Sequence, residues 1–175
     1  MNKYSVDYPL TNYDISKILN NNCKIIEYSD LYDIESLKDI MIDKCIVILY
    51  RSSDDSAHWC CIFEHDNNDI EFFDPYGTII DNEIEQIKHV NPSYAQQYYH
   101  GKRLIELILK GNYKDIIYNN YKMQELKSNI NTCGRHVCCR LLFKDYSLDD
   151  YVNMLKMKSG KYLDKKVLQI TNKLI

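Results

Sequence analysis

The segment "NINTCGRHVCCRLLF" (residues 129–143) sets Cys133 directly before Gly134 and an apolar run of helical spacing. Three other residues with usable chemistry come earlier. They are His58 in "AHWCCIF", Asp74 sixteen residues on in "EFFDPYG", and Gln124 at the end of "YKMQ". Together these are the residue types of thiol-dependent acyl transfer. A free thiol, with a pKa near ~8.5, is mostly protonated at neutral pH and needs activation. A helix N-terminus favours the thiolate through its unpaired N–H groups and dipole. An imidazole can take the proton, and a carboxylate can fix the imidazole's tautomer and orientation. A side-chain amide and a backbone N–H can stabilise the oxyanion. Gly134, lacking a Cβ, lets a substrate backbone approach Cys133. Each residue also has an ordinary explanation: a small buried thiol, a half-buried strand histidine, an Asp-Pro turn, a solvated glutamine. Order and spacing together favour the catalytic reading.

These residues need elements to position them. "TNYDISKILNNN" predicts a short helix capped by Thr11 or Asn12, and "DIESLKDIMIDK" a second from Asp33 to about Asp43, with Ile34, Leu37, Ile40 and Met41 on one face. "CIVILYR" (45–51) is a continuous β-branched run, the mark of a buried strand. "AHWCCIFEH" (57–65) and "DIEFFDPYG" (69–77) predict two more strands, joined as a hairpin by "DNN". Helices follow in "DNEIEQIKHV" and "GKRLIELILKG", the latter ended by Gly111. Residues 115–124 alternate as a strand ending at Gln124, and "SNINTC" is a loop. A strongly apolar helix spans 134–146, with Val137, Leu141 and Leu142 facing the core. Another starts at Ser147 with Asp150 in the capping-box position, and a last runs from Leu163. The pattern is α+β, with a small central mixed sheet and helices packed around it.

The order His-Trp, then Asp, then Gln, then Cys-Gly resembles the adenain-like cysteine proteases, the clan that includes the SUMO- and ubiquitin-like-specific proteases. "FFDPYG" and "CGRHV" look most like the viral members, from adenoviruses, virophages and large DNA viruses. The resemblance spans about residues 45–145 of a single domain, 1–175; the N-terminal helices (1–44) and the C-terminal helices (147–175) fall outside it. It implies a papain-like-related fold of the adenain type, with the nucleophile at the N-terminus of a buried helix. It implies Cys133 as nucleophile, His58 as general base, Asp74 as its orienting acid, and Gln124 with the Cys133 N–H as oxyanion hole. Trp59 matches the aromatic that narrows the cleft around small residues before the scissile bond. The interval of nine residues from Gln124 to Cys133 is longer than the family's, which leaves Asn129 and Asn131 as alternative amides.

The implied function is a maturation protease cutting capsid or polyprotein precursors at Gly-containing sites, in the host cytoplasm (virus factory) and the virion. The alternatives are a deubiquitinase or deSUMOylase, and a non-catalytic interaction module on the same fold. No cofactor is implied; the need for an activating peptide or DNA is left open. A zinc site is not expected, because no C-x-x-C knuckle is present and adjacent cysteines in a strand point to opposite faces. Of the seven cysteines, Cys23, Cys45, Cys138 and Cys139 read as small core residues, and the odd count without a framework spacing reads as reduced thiols. Arg135 and His136 are explained either by surface polarity or by an anionic partner. A net charge of −3 excludes a wholesale basic face for nucleic acid, although the stretch from Lys156 to Lys173 is locally basic. "MNKYSVDYPLTNYD" has no apolar h-region, so no signal peptide is expected, and no apolar run reaches the length of a membrane span.

Overall fold

The computed structural model describes residues 2–98, 100–156 and 163–175. Its centre is a five-stranded mixed sheet in the order β1-β2-β3-β4-β5. The strands are β1 (Lys24–Glu27), β2 (Cys45–Arg51), β3 (Ala57–Glu64), β4 (Ile70–Phe73) and β5 (Ile116–Tyr118). The three central strands are antiparallel neighbours; β1 and β5 each add in parallel at an edge. The apolar run "CIVILY" is buried along its whole length, because helices cover both faces of the sheet.

The helices are α1 (Asn12–Ile18), α2 (Asn82–Val90), α3 (Arg103–Lys110), α4 (Cys133–Leu142), α5 (Leu148–Lys156) and α6 (Leu163–Thr171). One layer packs α1, α4, α5 and α6 against Val47, Leu49, Trp59, Cys61, Phe63 and Phe73. The other packs α2, α3 and short 3₁₀ turns against Ile46, Ile48, Tyr50, Cys60, Ile62 and Phe72. The alternation of side chains along β2 and β3 divides the core in two. Helix α4 lies in the first layer and is buried from Cys133 through Leu141, while Leu142 is exposed. Among the described residues, no helix is long and apolar enough to cross a membrane. Residues 157–162, part of the basic stretch and of the expected C-terminal helices, lie outside the described residues.

Two expectations about elements fail for identifiable reasons, and one strand was not expected. The helix expected over 33–43 is absent; two 3₁₀ turns, Tyr28–Asp33 and Leu37–Asp39, stand in that region. The Leu31 carbonyl accepts the Ile34 N–H in a 3₁₀ bond, and the Arg103 guanidinium donates to the carbonyls of both Leu31 and Ile34, holding the chain in that turn. The strand expected over 115–124 stops at Tyr118, so Gln124 does not end a strand. There the buried Asn119 side chain pairs with both backbone groups of Asp74, and the chain turns. Strand β1 was not expected, since four residues, "KIIE", carry too short a period to read.

Candidate active site

The hairpin β3–β4 positions the first two residues. Its register pairs Cys61 with Phe73, so His58 near the start of β3 and Asp74 just past β4 come together at one end. His58 Nε2 meets Asp74 Oδ1 at 2.9 Å, with His58 5% and Asp74 1% exposed. Asp74 accepts further hydrogen bonds, from the Tyr76 N–H at 2.8 Å and from the Thr78 hydroxyl. Gly77, with φ +71°, closes this Asp-Pro-Tyr-Gly turn, and a Cβ there would fall 2.8 Å from the Tyr121 carbonyl oxygen. With Nε2 committed to Asp74, Nδ1 is the ring nitrogen left for a thiol.

Cys133 is the first residue of α4, as the sequence implies. The residue before it, Thr132, turns its hydroxyl to Asp164 of α6 rather than capping its own helix. The same carboxylate meets His136 at 3.0 Å and accepts the Glu125 N–H at 3.1 Å. Asp164 therefore ties α4 to the loop that carries Gln124. Arg135 is buried as well, donating to Thr171, Asn172 and the Lys3 carbonyl. Surface polarity thus does not explain Arg135 or His136; both are internal struts between α4, α6 and the N-terminal segment.

Charge in the site follows from these contacts. Burial is the largest influence on His58 and disfavours its proton. Cys60, the Asp74 hydrogen bond and Cys133 together outweigh it and hold the imidazole well above its ordinary value. Burial likewise works against a charged Asp74, yet its bonds to His58, Thr78 and the Tyr76 N–H keep it below the usual carboxylate range. Burial pushes the Cys60 thiol up, with the Asp74 charge adding to the effect. Among the described residues, His58, Cys60 and Asp74 are the group whose nitrogen, sulfur and oxygen atoms lie within 4.8 Å of one another. Its donor set could hold a metal ion only by breaking the His58–Asp74 bond and deprotonating a thiol that burial keeps protonated.

The remaining expected residues are near but differently engaged. Gln124 is buried, and its Nε2 donates to the Tyr76 hydroxyl at 3.2 Å and to the Ile130 carbonyl at 3.1 Å. Its Oε1 has no partner among the described residues. Asn131 lines the same cavity as Cys133 but donates its amide to the Asp7 carbonyl, and Asn129 is exposed. Trp59 points into the α4 layer, its Nε1 donating to the Leu10 carbonyl at 3.1 Å. A cavity of about 360 Å³ beside it is lined by Leu10, Thr11, Arg51, Trp59, Asn131 and Cys133, among others. Gly134 has a packing reason to lack a side chain. A Cβ there would meet Leu10 Cβ at 3.1 Å and Trp59 Cδ1 at 3.2 Å, inside the protein rather than in the cleft. A larger charged cavity of about 600 Å³, at Asp43, Glu64, His65 and Lys144, holds none of these residues.

Sequence reasoning passed over Tyr76, Asn119 and Asp164. Tyr76 stands in a quoted motif, "FFDPYG", whereas Asn119 and Asp164 have no local pattern to mark them.

A mixed sheet backed by a buried helix that starts at a cysteine, with His and Asp joined at the end of the central hairpin, is a fold shared with a solved viral protease. The ASFV pS273R protease superposes on it with a TM-score of 0.56 and 15% identity, covering 100% of this chain and 70% of that one. A selenomethionine structure of the same protease gives 0.51 and 11%, covering 100% and 69%. The SUMO protease Ulp1 aligns at a TM-score of 0.39 and 13% identity, over 97% of this chain and 81% of that one. At these identities the likeness to the ASFV protease is one of fold. No family model matches the sequence. The uncharacterized protein V9 of Sputnik virophage is 34% identical over 151 residues, 85% of this chain and 84% of that protein. The chain belongs to the family of that virophage protein.

Proposed function

We propose that the protein is a cysteine endopeptidase that cuts viral capsid or precursor proteins, after Gly-containing sites, in the virus factory and the virion. Cys133 attacks the scissile carbonyl as a thiolate, His58 takes and returns the proton, and Asp74 holds the imidazole through Nε2. The Cys133 N–H at the start of α4 and the Gln124 amide stabilise the oxyanion. The observation that carries this reading is the buried His58–Asp74 contact of 2.9 Å at the hairpin end, beside a helix that begins at Cys133. The fold shared with a viral protease and the family tie to a virophage protein support it.

The substrate preference rests on Trp59. The Trp59 ring and the Cys133 side chain line one cavity, and a flat indole wall there leaves room for Gly and little else. The test is a peptide library varied on both sides of the cut, run beside viral capsid precursors and ubiquitin-like thioester probes, with Cys133→Ala as control. Cleavage after Gly, lost in Cys133→Ala and relaxed in a folded Trp59→Ala, is the expected result. Efficient cleavage after Leu or Arg would overturn the narrow cleft, and reaction with the thioester probes alone would move the substrate to ubiquitin-like conjugates.

A further inference from the structure

Tyr76 touches every part of the proposed machinery except the thiol. Its ring lies flat on the His58 imidazole, with centroids 4.4 Å apart and planes 16° from parallel. Its backbone N–H donates to Asp74 Oδ1, the same oxygen that meets His58 Nε2. Its hydroxyl accepts a hydrogen bond from Gln124 Nε2. The Gln124 and Met123 N–H groups both donate to the Pro75 carbonyl, so the turn that carries Tyr76 also anchors the Gln124 backbone.

These contacts divide into two roles. A histidine held at Nε2 alone can still swing about that bond, and an aromatic face stacked on it removes that freedom. Nδ1 then stays aimed in one direction. An amide has two hydrogens, and both of those on Gln124 are engaged, one by the Ile130 carbonyl and one by the Tyr76 hydroxyl. An oxyanion is a stronger acceptor than a neutral phenol oxygen, so the N–H aimed at Tyr76 is the one it could share while the Ile130 carbonyl keeps the amide in place. Burial pushes the Tyr76 phenol up to about 12, so it remains a neutral hydroxyl throughout the working range.

Resting on the protease reading above, we propose that Tyr76 is the positioning residue that couples the two halves of the site, its ring orienting His58 for proton transfer and its hydroxyl holding Gln124 for the oxyanion. The residue is only half-buried, so substitutions there leave the core intact. Tyr76→Phe keeps the ring and loses the hydroxyl. Tyr76→Ala loses both.

The experiment reads kcat and KM on a cleaved peptide, and separately the rate of Cys133 alkylation by iodoacetamide at neutral pH, with thermal melts to verify folding. Tyr76→Phe is expected to lower kcat about tenfold at unchanged KM, with alkylation as in wild type, because thiol activation does not use the oxyanion amide. Tyr76→Ala is expected to slow alkylation as well and to shift the pH profile of kcat/KM. Rescue of alkylation by Phe over Ala separates ring from hydroxyl, a split that a merely structural role would not produce. Wild-type kcat in Tyr76→Phe, or wild-type alkylation in Tyr76→Ala, overturns the assignment. A wild-type protein that cuts no peptide, with Cys133 no more reactive than the other thiols, overturns the protease reading itself and this role with it.

Discussion

Seven thiols share this chain, and all are buried, so burial cannot select the reactive one. What distinguishes Cys133 is its place at the start of α4 and on a cavity; Cys60 also lies beside His58, but it sits within a strand and burial pushes its thiol up. Iodoacetamide at neutral pH should therefore label Cys133 first, and Cys133→Ala should reduce cleavage to background while the protein still folds. His58→Ala should cost on the order of 10²–10⁴ in kcat, the usual worth of a positioned base. Asp74→Asn should cost less, since the proton acceptor remains. The pair also makes stability depend on pH. His58, held above the ordinary imidazole value, contributes fully below about pH 6.5, and its share is lost as pH rises through the raised value. Asp74, held below the ordinary carboxylate value, contributes above about pH 4, and its share is lost as pH falls through the lowered value. In urea melts, the stability gap between wild type and Asp74→Asn should be widest between about pH 4 and 6.5 and should narrow at both ends. A gap that stays constant into alkaline solution would mean that His58 is not ion-paired in the fold.

At the scale of elements, the question is what holds α4 against the sheet. Arg140 of α4 meets Glu71 of β4 through two bonds, of 2.7 and 2.8 Å, with both side chains fully buried. The guanidinium also lies over the Phe63 and Tyr151 rings and donates to the Phe143 and Tyr146 carbonyls. Removing one partner leaves an uncompensated buried charge. Glu71→Ala should thus destabilise by about 3–5 kcal/mol in urea melts, whereas replacing both partners with apolar residues of similar volume should cost far less. Equal losses in the single and double variants would show that the pair acts only by filling space. The other anchor, Asp164 of α6, joins the Glu125 N–H to Thr132 and His136, so α6 braces α4 rather than trailing from it.

On the whole-molecule scale, the family motifs end where the site does not. The N-terminal segment runs along the cleft side of α4. The Val6 carbonyl accepts the Asn131 N–H at 2.7 Å, the Asp7 carbonyl accepts the Asn131 side chain, and the Leu10 carbonyl accepts the Trp59 indole. Lys3 adds its carbonyl to Arg135. Deleting residues 1–9 removes three of these acceptors and frees the loop that leads to Cys133. Such a deletion should lower cleavage at least tenfold and make residues 125–132 more sensitive to added proteases, read by mass spectrometry of the fragments. Full activity in the truncated chain would show that the segment only covers the surface.

The candidate site residues and the elements that carry His58, Asp74 and Cys133 were legible in the linear sequence. A helix start, a hairpin and an Asp-Pro turn are local features, each specified by neighbours a few residues apart. The buried strands 45–51 and 57–64 were legible for the same reason: an apolar run bounded by turns needs no distant partner to be read. Only the tertiary structure decided the rest, because the deciding contacts are between residues far apart in the chain. Where a helix was expected stand 3₁₀ turns, and Arg103, 69 residues past Ile34, donates to the carbonyls of Leu31 and Ile34 at that point. Asn119 ended β5 by binding Asp74, 45 residues away. Asp164, 28 residues past His136, and Thr171, 36 residues past Arg135, turned apparent surface polarity at Arg135–His136 into internal struts. Gly134 was legible as a place of close approach, but what approaches is Leu10 and the Trp59 ring. Local pattern names the element a residue belongs to; which polar groups end up facing each other is settled by packing, where burial requires each one to find a partner across the fold.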